Sequence, residues 1–148
     1  MKLHIRPLQQ ADITALLPLY RALHPADAES PAASVDATWQ MILADPKIHL
    51  LGGLAGDDLV CSCMLLIVPN LTRGCRPFGL IENVVTAAHY RRQGLGRQLL
   101  QHAQNLAWAA NCYKLMLQTS RMDAATFAFY EACGFTRNAK QAFVARPI

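Results

Sequence analysis

The residues Arg91-Arg92-Gln93-Gly94-Leu95-Gly96 carry the clearest chemical signal in the chain. Two glycines at the start of a helix let backbone N–H groups point outward at an anion with no side chain in the way, and the helix dipole adds positive potential. Here the glycines follow an apolar run suited to a strand and precede a strongly amphipathic stretch, the setting a phosphate cradle requires. The Gly-Lys-Ser or Gly-Lys-Thr of a P-loop is absent, and so is the third glycine of a dinucleotide fingerprint. The expected ligand is the pyrophosphate of a nucleotide cofactor, with plain turn glycines as the alternative.

The elements that must position this cradle are written in the apolar periodicity. Lys2 to Pro7 alternates as a strand, and a helix carrying Ile13, Leu16, Leu17 and Tyr20 follows, capped by Asp12 and closed by His24-Pro25. Ser34 or Asp36 is expected to start a second helix through Trp39, Ile42 and Leu43, which Asp45-Pro46 stops. Ile48 to Ala55 and Leu59 to Val68 read as an antiparallel hairpin joined by Gly56-Asp57-Asp58, and Pro69 to Pro77 as the loop after it. Phe78 to Thr86 is a further strand, and the helix beyond the cradle sets Leu95, Leu99, Leu100, Ala103, Leu106 and Ala107 on one face. Asn111 stops that helix and Tyr113 to Leu117 is again a strand. Asp123 caps a helix containing Phe127 and Tyr130, Gly134 ends it, and Phe135 to Arg146 supplies one or two closing strands. Hairpin links early and crossover links late predict an α/β (α+β) chain with a central mixed, mostly antiparallel sheet and helices on both faces.

A length of 148 residues fits one domain, 1–148. Apolar residues make up 53% and charged residues 16%, the balance of a packed globular chain and not of a disordered tail. The net charge of +4 is dispersed except at Arg91, Arg92 and Arg97, which favours a local anion over the extended basic face that nucleic acid needs. Five cysteines, irregularly spaced, indicate neither a disulfide framework nor a zinc site, so no metal is expected and a reducing cytoplasm is the expected location. Cys61 and Cys63 read as buried, inert thiols on one strand face. Met1 to Pro7 resembles no signal peptide, and no apolar run approaches the roughly 18 residues of a membrane span.

Arg91, Gly94 and Gly96 match the acetyl-coenzyme A motif of the GCN5-related N-acetyltransferases (GNAT), which is Arg or Gln, two residues, Gly, one residue, Gly or Ala. Ile81-Glu82-Asn83-Val84-Val85 precedes the motif and Phe129-Tyr130-Glu131-Ala132-Cys133-Gly134-Phe135 follows it at the family's distance. From about Leu80 to Phe135 the chain therefore resembles this family. Within it, the run Ile-Glu, any residue, Val-Val and the segment Cys112-Tyr113-Lys114 look most like the glucosamine 6-phosphate N-acetyltransferases. Those enzymes carry an Asp where this chain has Gln118, and the family's frequent Asn at the head of the next helix is Asp123 here. The outer thirds match only in element order, which leaves the acceptor half undetermined.

The resemblance implies acetyl-coenzyme A as the acetyl donor, its pyrophosphate held by the amides of Arg92, Gln93, Gly94, Leu95, Gly96 and Arg97. Arg91, Arg92 and Arg97 add charge-assisted contacts or remain solvated. The backbone of Val84, Val85 and Thr86 is expected to hydrogen-bond the pantetheine arm as an added strand would, and Asp123 falls among the cofactor-binding positions. Tyr130 matches the tyrosine that lies near the cofactor sulfur in this family, and is the expected proton donor to the departing thiolate, with core packing as the alternative. Glu82 lies on the strand that runs past the thioester, where a carboxylate can deprotonate the ammonium directly or through water, anchor it, or form a strand-end salt bridge. Asn83 points to the opposite face unless a bulge turns it inward. Arg73 and Arg76, in the loop entering this strand, are candidates to receive an anionic acceptor.

Taken together these residues imply an N-acetyltransferase that passes acetyl from acetyl-coenzyme A to a primary amine of a small molecule, directly, in a ternary complex. The alternatives are a protein or peptide N-acetyltransferase with an open groove, and a noncatalytic acyl-coenzyme A sensor. Family habit implies a homodimer through the terminal strands. Neither nucleic acid nor membrane is an expected partner.

Overall fold

The computed structural model describes residues 1–148. Its strands are β1 (His4–Pro7), β2 (Ile48–Ala55), β3 (Asp58–Val68), β4 (Phe78–Thr86) and β5 (Leu115–Leu117), which lie side by side in chain order in one sheet. The pairings β1–β2, β2–β3 and β3–β4 are antiparallel and β4–β5 is parallel. A parallel pair needs a crossover, and α4 (Leu95–Ala109) supplies it between β4 and β5. This is the mixed, mostly antiparallel α/β sheet that the periodicity predicts.

The alternation of side chains along β3 divides two hydrophobic layers. Cys63 and Leu65 join Ile81 of β4 and the α4 residues Leu95, Leu99, Leu100, Ala103 and Ala107 in the larger core, against which Phe129 and Tyr130 of α5 (Ala124–Ala132) also pack. Met64 belongs to the other side, with Leu16 and Tyr20 of α1 (Ile13–Leu23) and Trp39 of α2 (Ala32–Ala44). Leu99 and Leu100 are wholly buried, and each contributes about 2 kcal/mol through the apolar surface it removes from water. The stripe read from the sequence thus anchors the helix whose first turn bears the cradle.

Several boundaries differ from the sequence expectation. Asp12 does not cap α1 through its side chain; its carboxylate accepts the Gln9 N–H at 2.6 Å and the Arg6 guanidinium at 2.6 and 2.9 Å, closing a 3₁₀ turn over Gln10–Asp12. Leu17 is exposed and Leu19 is buried, so the stripe of α1 lies slightly turned from the expected one. α2 begins at Ala32 behind Pro31, ahead of Ser34 and Asp36. The β3–β4 loop holds one helical turn, α3 (Thr72–Cys75), in which Arg73 (φ 57°) and Gly74 (φ 70°) are left-handed.

The closing strands expected over Phe135 to Arg146 do not form. A strand needs an edge to pair with, and β5 pairs over only three positions, Leu115 to Leu117. Such a short ladder offers little to bind a terminal segment within one chain.

Candidate active site

The cradle is built by backbone conformation. Arg92 (φ 61°) and Gly94 (φ 76°) are both left-handed, which turns successive N–H groups of the loop toward one side as an anion-binding concavity. Gly94 is the N-cap of α4, with no side chain capping the helix and no acidic residue in its first turn. The positive end of α4 is thus left for a ligand. Between Glu82 and Asp123 the sequence holds no Asp or Glu at all, so no nearby carboxylate in that stretch competes for the site. Arg91 is partly committed: its Nε donates to the Thr86 carbonyl at 3.0 Å, tying the loop to the end of β4. Gln93 donates to the His89 carbonyl at 3.1 Å, while Arg92 and Arg97 are exposed.

Gly96 has a different reason to be glycine. A Cβ there would sit 3.1 Å from Cζ of Phe129 and 3.4 Å from Oγ1 of Thr86. The head of α4 therefore approaches α5 and the end of β4 closely, and this close contact sets Tyr130, the neighbour of Phe129, relative to the loop. The Tyr130 ring lies 5.0 Å from that of Phe129 and 6.3 Å, edge-on, from that of Phe135. Gln104 of α4 donates to the Cys133 carbonyl at 2.7 Å and clamps the other end of α5. Burial pushes the Tyr130 phenol above its ordinary value, so it stays protonated at neutral pH.

β4 carries the bulge that the sequence reading required for Asn83 to matter. Val85 pairs with Ser62 and Glu82 with Met64, leaving Asn83 and Val84 opposite the single residue Cys63, and Asn83 takes a left-handed φ of 53°. Bulges twist and bend a strand. β5 follows β4 only through Gly79, Leu80 and Ile81, so from Glu82 to Thr86 the β4 edge on that side has no strand partner. That free edge is a template for an extended ligand chain, and it leads from exposed Glu82 to the cradle. Val84 packs against the larger core, on the side that holds Tyr130.

Other expected site residues are engaged elsewhere. Both oxygens of the Asp123 carboxylate are taken up by Thr126 and Arg121, with the Thr126 N–H at 2.9 Å and Arg121 Nε at 3.0 Å. These bonds, the Thr126 amide first, hold the carboxyl down at about 2. Asp123 is therefore the N-cap of α5, as its sequence position also suggested. Arg76 donates from Nε to the Asn111 carbonyl at 3.2 Å and from Nη2 to the Cys112 carbonyl at 3.1 Å, tying down the turn between α4 and β5. The Arg73 guanidinium lies 5.9 Å from the centre of the Tyr113 ring. Six residues of extended chain, roughly 20 Å, separate Arg76 from Glu82, so Arg73 and Arg76 are not brought to the same place as Glu82. A cavity of about 570 Å³ also lies at that far end of the sheet, between Lys47, His49, Asn70 and Cys75, away from the cradle.

Burial raises the thiols of Cys61 and Cys63 to about 11 and about 12, and raises those of Cys112 and Cys133 as well. All five cysteines are free, and none of these four is activated as a nucleophile. Trp39 is a buried anchor donating to the Gln10 carbonyl at 3.3 Å.

A left-handed loop at the uncapped head of α4 offers backbone amides to an anion, and the bulged strand beside it offers an unpaired edge to an extended chain. The family model described as Acetyltransferase (GNAT) family matches residues 13–135, and the chain belongs to that family, as an acetyl-coenzyme A-dependent N-acetyltransferase. It is similar to a glucosamine 6-phosphate N-acetyltransferase of Trypanosoma brucei brucei, 37% identical over 139 residues that cover 94% of this chain and 92% of the relative. A solved chain from Agrobacterium tumefaciens str. C58 is 42% identical with a TM-score of 0.92, covering 97% of this chain and 99% of that one. The glucosamine-6-phosphate N-acetyltransferase of Arabidopsis thaliana shares the fold, with a TM-score of 0.84 at 19% identity over 98% of this chain and 99% of that one. No helix is long and apolar enough to cross a membrane.

Proposed function

We propose that the protein transfers acetyl from acetyl-coenzyme A directly to the primary amine of a small molecule, with amino sugars the acceptor class favoured by the Trypanosoma relative. The observation that carries this reading is the single line along β4, from exposed Glu82 past a free edge to the amides around Gly94. Glu82 takes a proton from the acceptor ammonium, directly or through water, so that the nitrogen lone pair can attack the thioester carbonyl. N–H groups on the free edge of β4 stabilise the developing oxyanion. As the carbon–sulfur bond breaks, the nitrogen releases its second proton to solvent, and Tyr130 gives its proton to the thiolate and recovers one from solvent. The buried, unactivated thiols favour this direct route over an acetyl-enzyme.

Thiol release from acetyl-coenzyme A against amino sugars, amino acids, polyamines and peptides tests the acceptor. Turnover confined to amino sugars is expected; turnover confined to peptides would replace the small acceptor by a protein.

The reading includes a homodimer in a reducing cytoplasm. Phe143, Val144 and Ile148 are exposed on a tail without regular structure, and the outer edge of β5 is unpaired. A second copy can cover both. Sedimentation at twice the chain mass is expected, and sedimentation at a single chain mass at working concentration would rule this out.

A further inference from the structure

The hydroxyl of Tyr20 is sealed from solvent and makes no hydrogen bond, the one buried side-chain polar atom of the chain in that condition. Buried polar groups are almost always paired, so an orphan of this kind points to a partner that arrives with a ligand. Tyr20 projects from α1 onto the sheet, where its hydroxyl lies near enough to the side chains of Ser62 of β3 and Asn83 of β4 for each to ease the rise in its pKa, but in a geometry that closes no hydrogen bond. Ser62 is already committed, donating to the Leu51 carbonyl at 2.9 Å. Asn83 is the left-handed residue of the bulge and brings an amide with both donors and an acceptor.

This cluster is next to the reacting groups. Asn83 follows Glu82 directly, and Met64, which pairs with Glu82, packs in the same cluster as Tyr20. The bulge also lies where β4 has lost its β5 partner. Burial lifts the phenol to about 12, so it remains a donor throughout the physiological range.

We propose that the Tyr20 hydroxyl, together with the Asn83 amide, binds a hydroxyl group of the acceptor and thereby selects hydroxylated amines over plain alkylamines. The proposal rests on the acetyl-transfer reading of this site and deepens it by assigning a specificity-determining residue. A pocket built to hydrogen-bond a substrate hydroxyl discriminates against an analogue without it, because its own polar group is left unpaired. Tyr20→Phe removes only the hydroxyl and keeps the ring that packs with Leu16 and Trp39.

The test is calorimetric binding of glucosamine 6-phosphate and its 1-deoxy, 3-deoxy and 4-deoxy analogues to the coenzyme A-loaded full chain, wild type and Tyr20→Phe. One analogue is expected to bind wild type about threefold to tenfold more weakly than the parent sugar, while Tyr20→Phe binds that analogue and the parent alike. Equal affinity of the parent for both proteins overturns the proposal, as does a loss in Tyr20→Phe that is the same for every analogue, or no binding by wild type. Thiol release measured alongside separates the two readings: the expected binding pattern without turnover counts against the transfer chemistry and leaves the role of Tyr20 standing.

Discussion

Gly94→Asp is expected to weaken coenzyme A binding by at least about a hundredfold while the fold persists. The residue sits at φ 76°, where any side chain but glycine is disfavoured by about 1–2 kcal/mol. Nothing lies within 4 Å of the Cβ it would gain, so the substitution meets no steric clash that would unfold the protein. The carboxylate would stand at the positive end of α4, where the pyrophosphate is to sit. Two like charges about 4 Å apart near a protein surface repel by about 4 kcal/mol before salt screens them, which is more than a hundredfold in affinity. Gly94→Ala keeps only the conformational cost and should lose about tenfold. Titration calorimetry with coenzyme A, paired with circular dichroism, reads both. Affinity within threefold of wild type in Gly94→Asp would mean that the pyrophosphate is held elsewhere.

Tyr130→Phe is expected to lower kcat by about a hundredfold, the low end for removal of a general acid, with the KM for acetyl-coenzyme A changed by no more than about twofold. The phenol is half-buried and its acidity is suppressed by that burial, so it is a protonated donor at neutral pH. The same loss of solvation makes the departing thiolate a stronger base than in water, which helps the proton across. Phenylalanine keeps the ring against Phe129 and Phe135, so α5 and its contact with Gly96 should be unchanged. Because the pKa lies above its ordinary value, a fall in kcat from loss of the Tyr130 proton belongs above about pH 10 and not in the neutral range. An unaltered kcat with a raised KM would make Tyr130 a packing residue.

The parts of the site that the sequence displays are those made by local chemistry. Gly94, the absence of carboxylates around it and the stripe from Leu95 to Ala107 are patterns within one segment, and the cradle and its helix follow from them. Asp123 shows where such reasoning divides. Its capping role is local and is seen, whereas a place at the cofactor carried over by family position meets a carboxylate already satisfied by Thr126 and Arg121. Arg76 illustrates the limit of composition: a loop arginine reads as free charge, yet its guanidinium holds the turn after α4, 35 residues away. The bulge at Asn83 depends on the register of β3 against β4, and no residue type announces it; only the left-handed tolerance of Asn is compatible with it. Tyr20 stood in the apolar stripe of α1 and carried no signal that separates its hydroxyl from an ordinary core tyrosine. The closing strands do not form, because alternation reveals a segment able to be a strand and not whether the edge beside it is long enough to hold one.

Acetyl-coenzyme A labelled with carbon-13 at the acetyl carbonyl, mixed with glucosamine 6-phosphate and the wild-type protein and followed by NMR, tests the acetyl transfer most directly. The expected result is loss of the thioester carbonyl signal with matching growth of an amide carbonyl on the sugar nitrogen, both absent with Gly94→Asp. A thioester that persists, or that yields only free acetate with this and every other amine, would contradict an amine acetyltransferase.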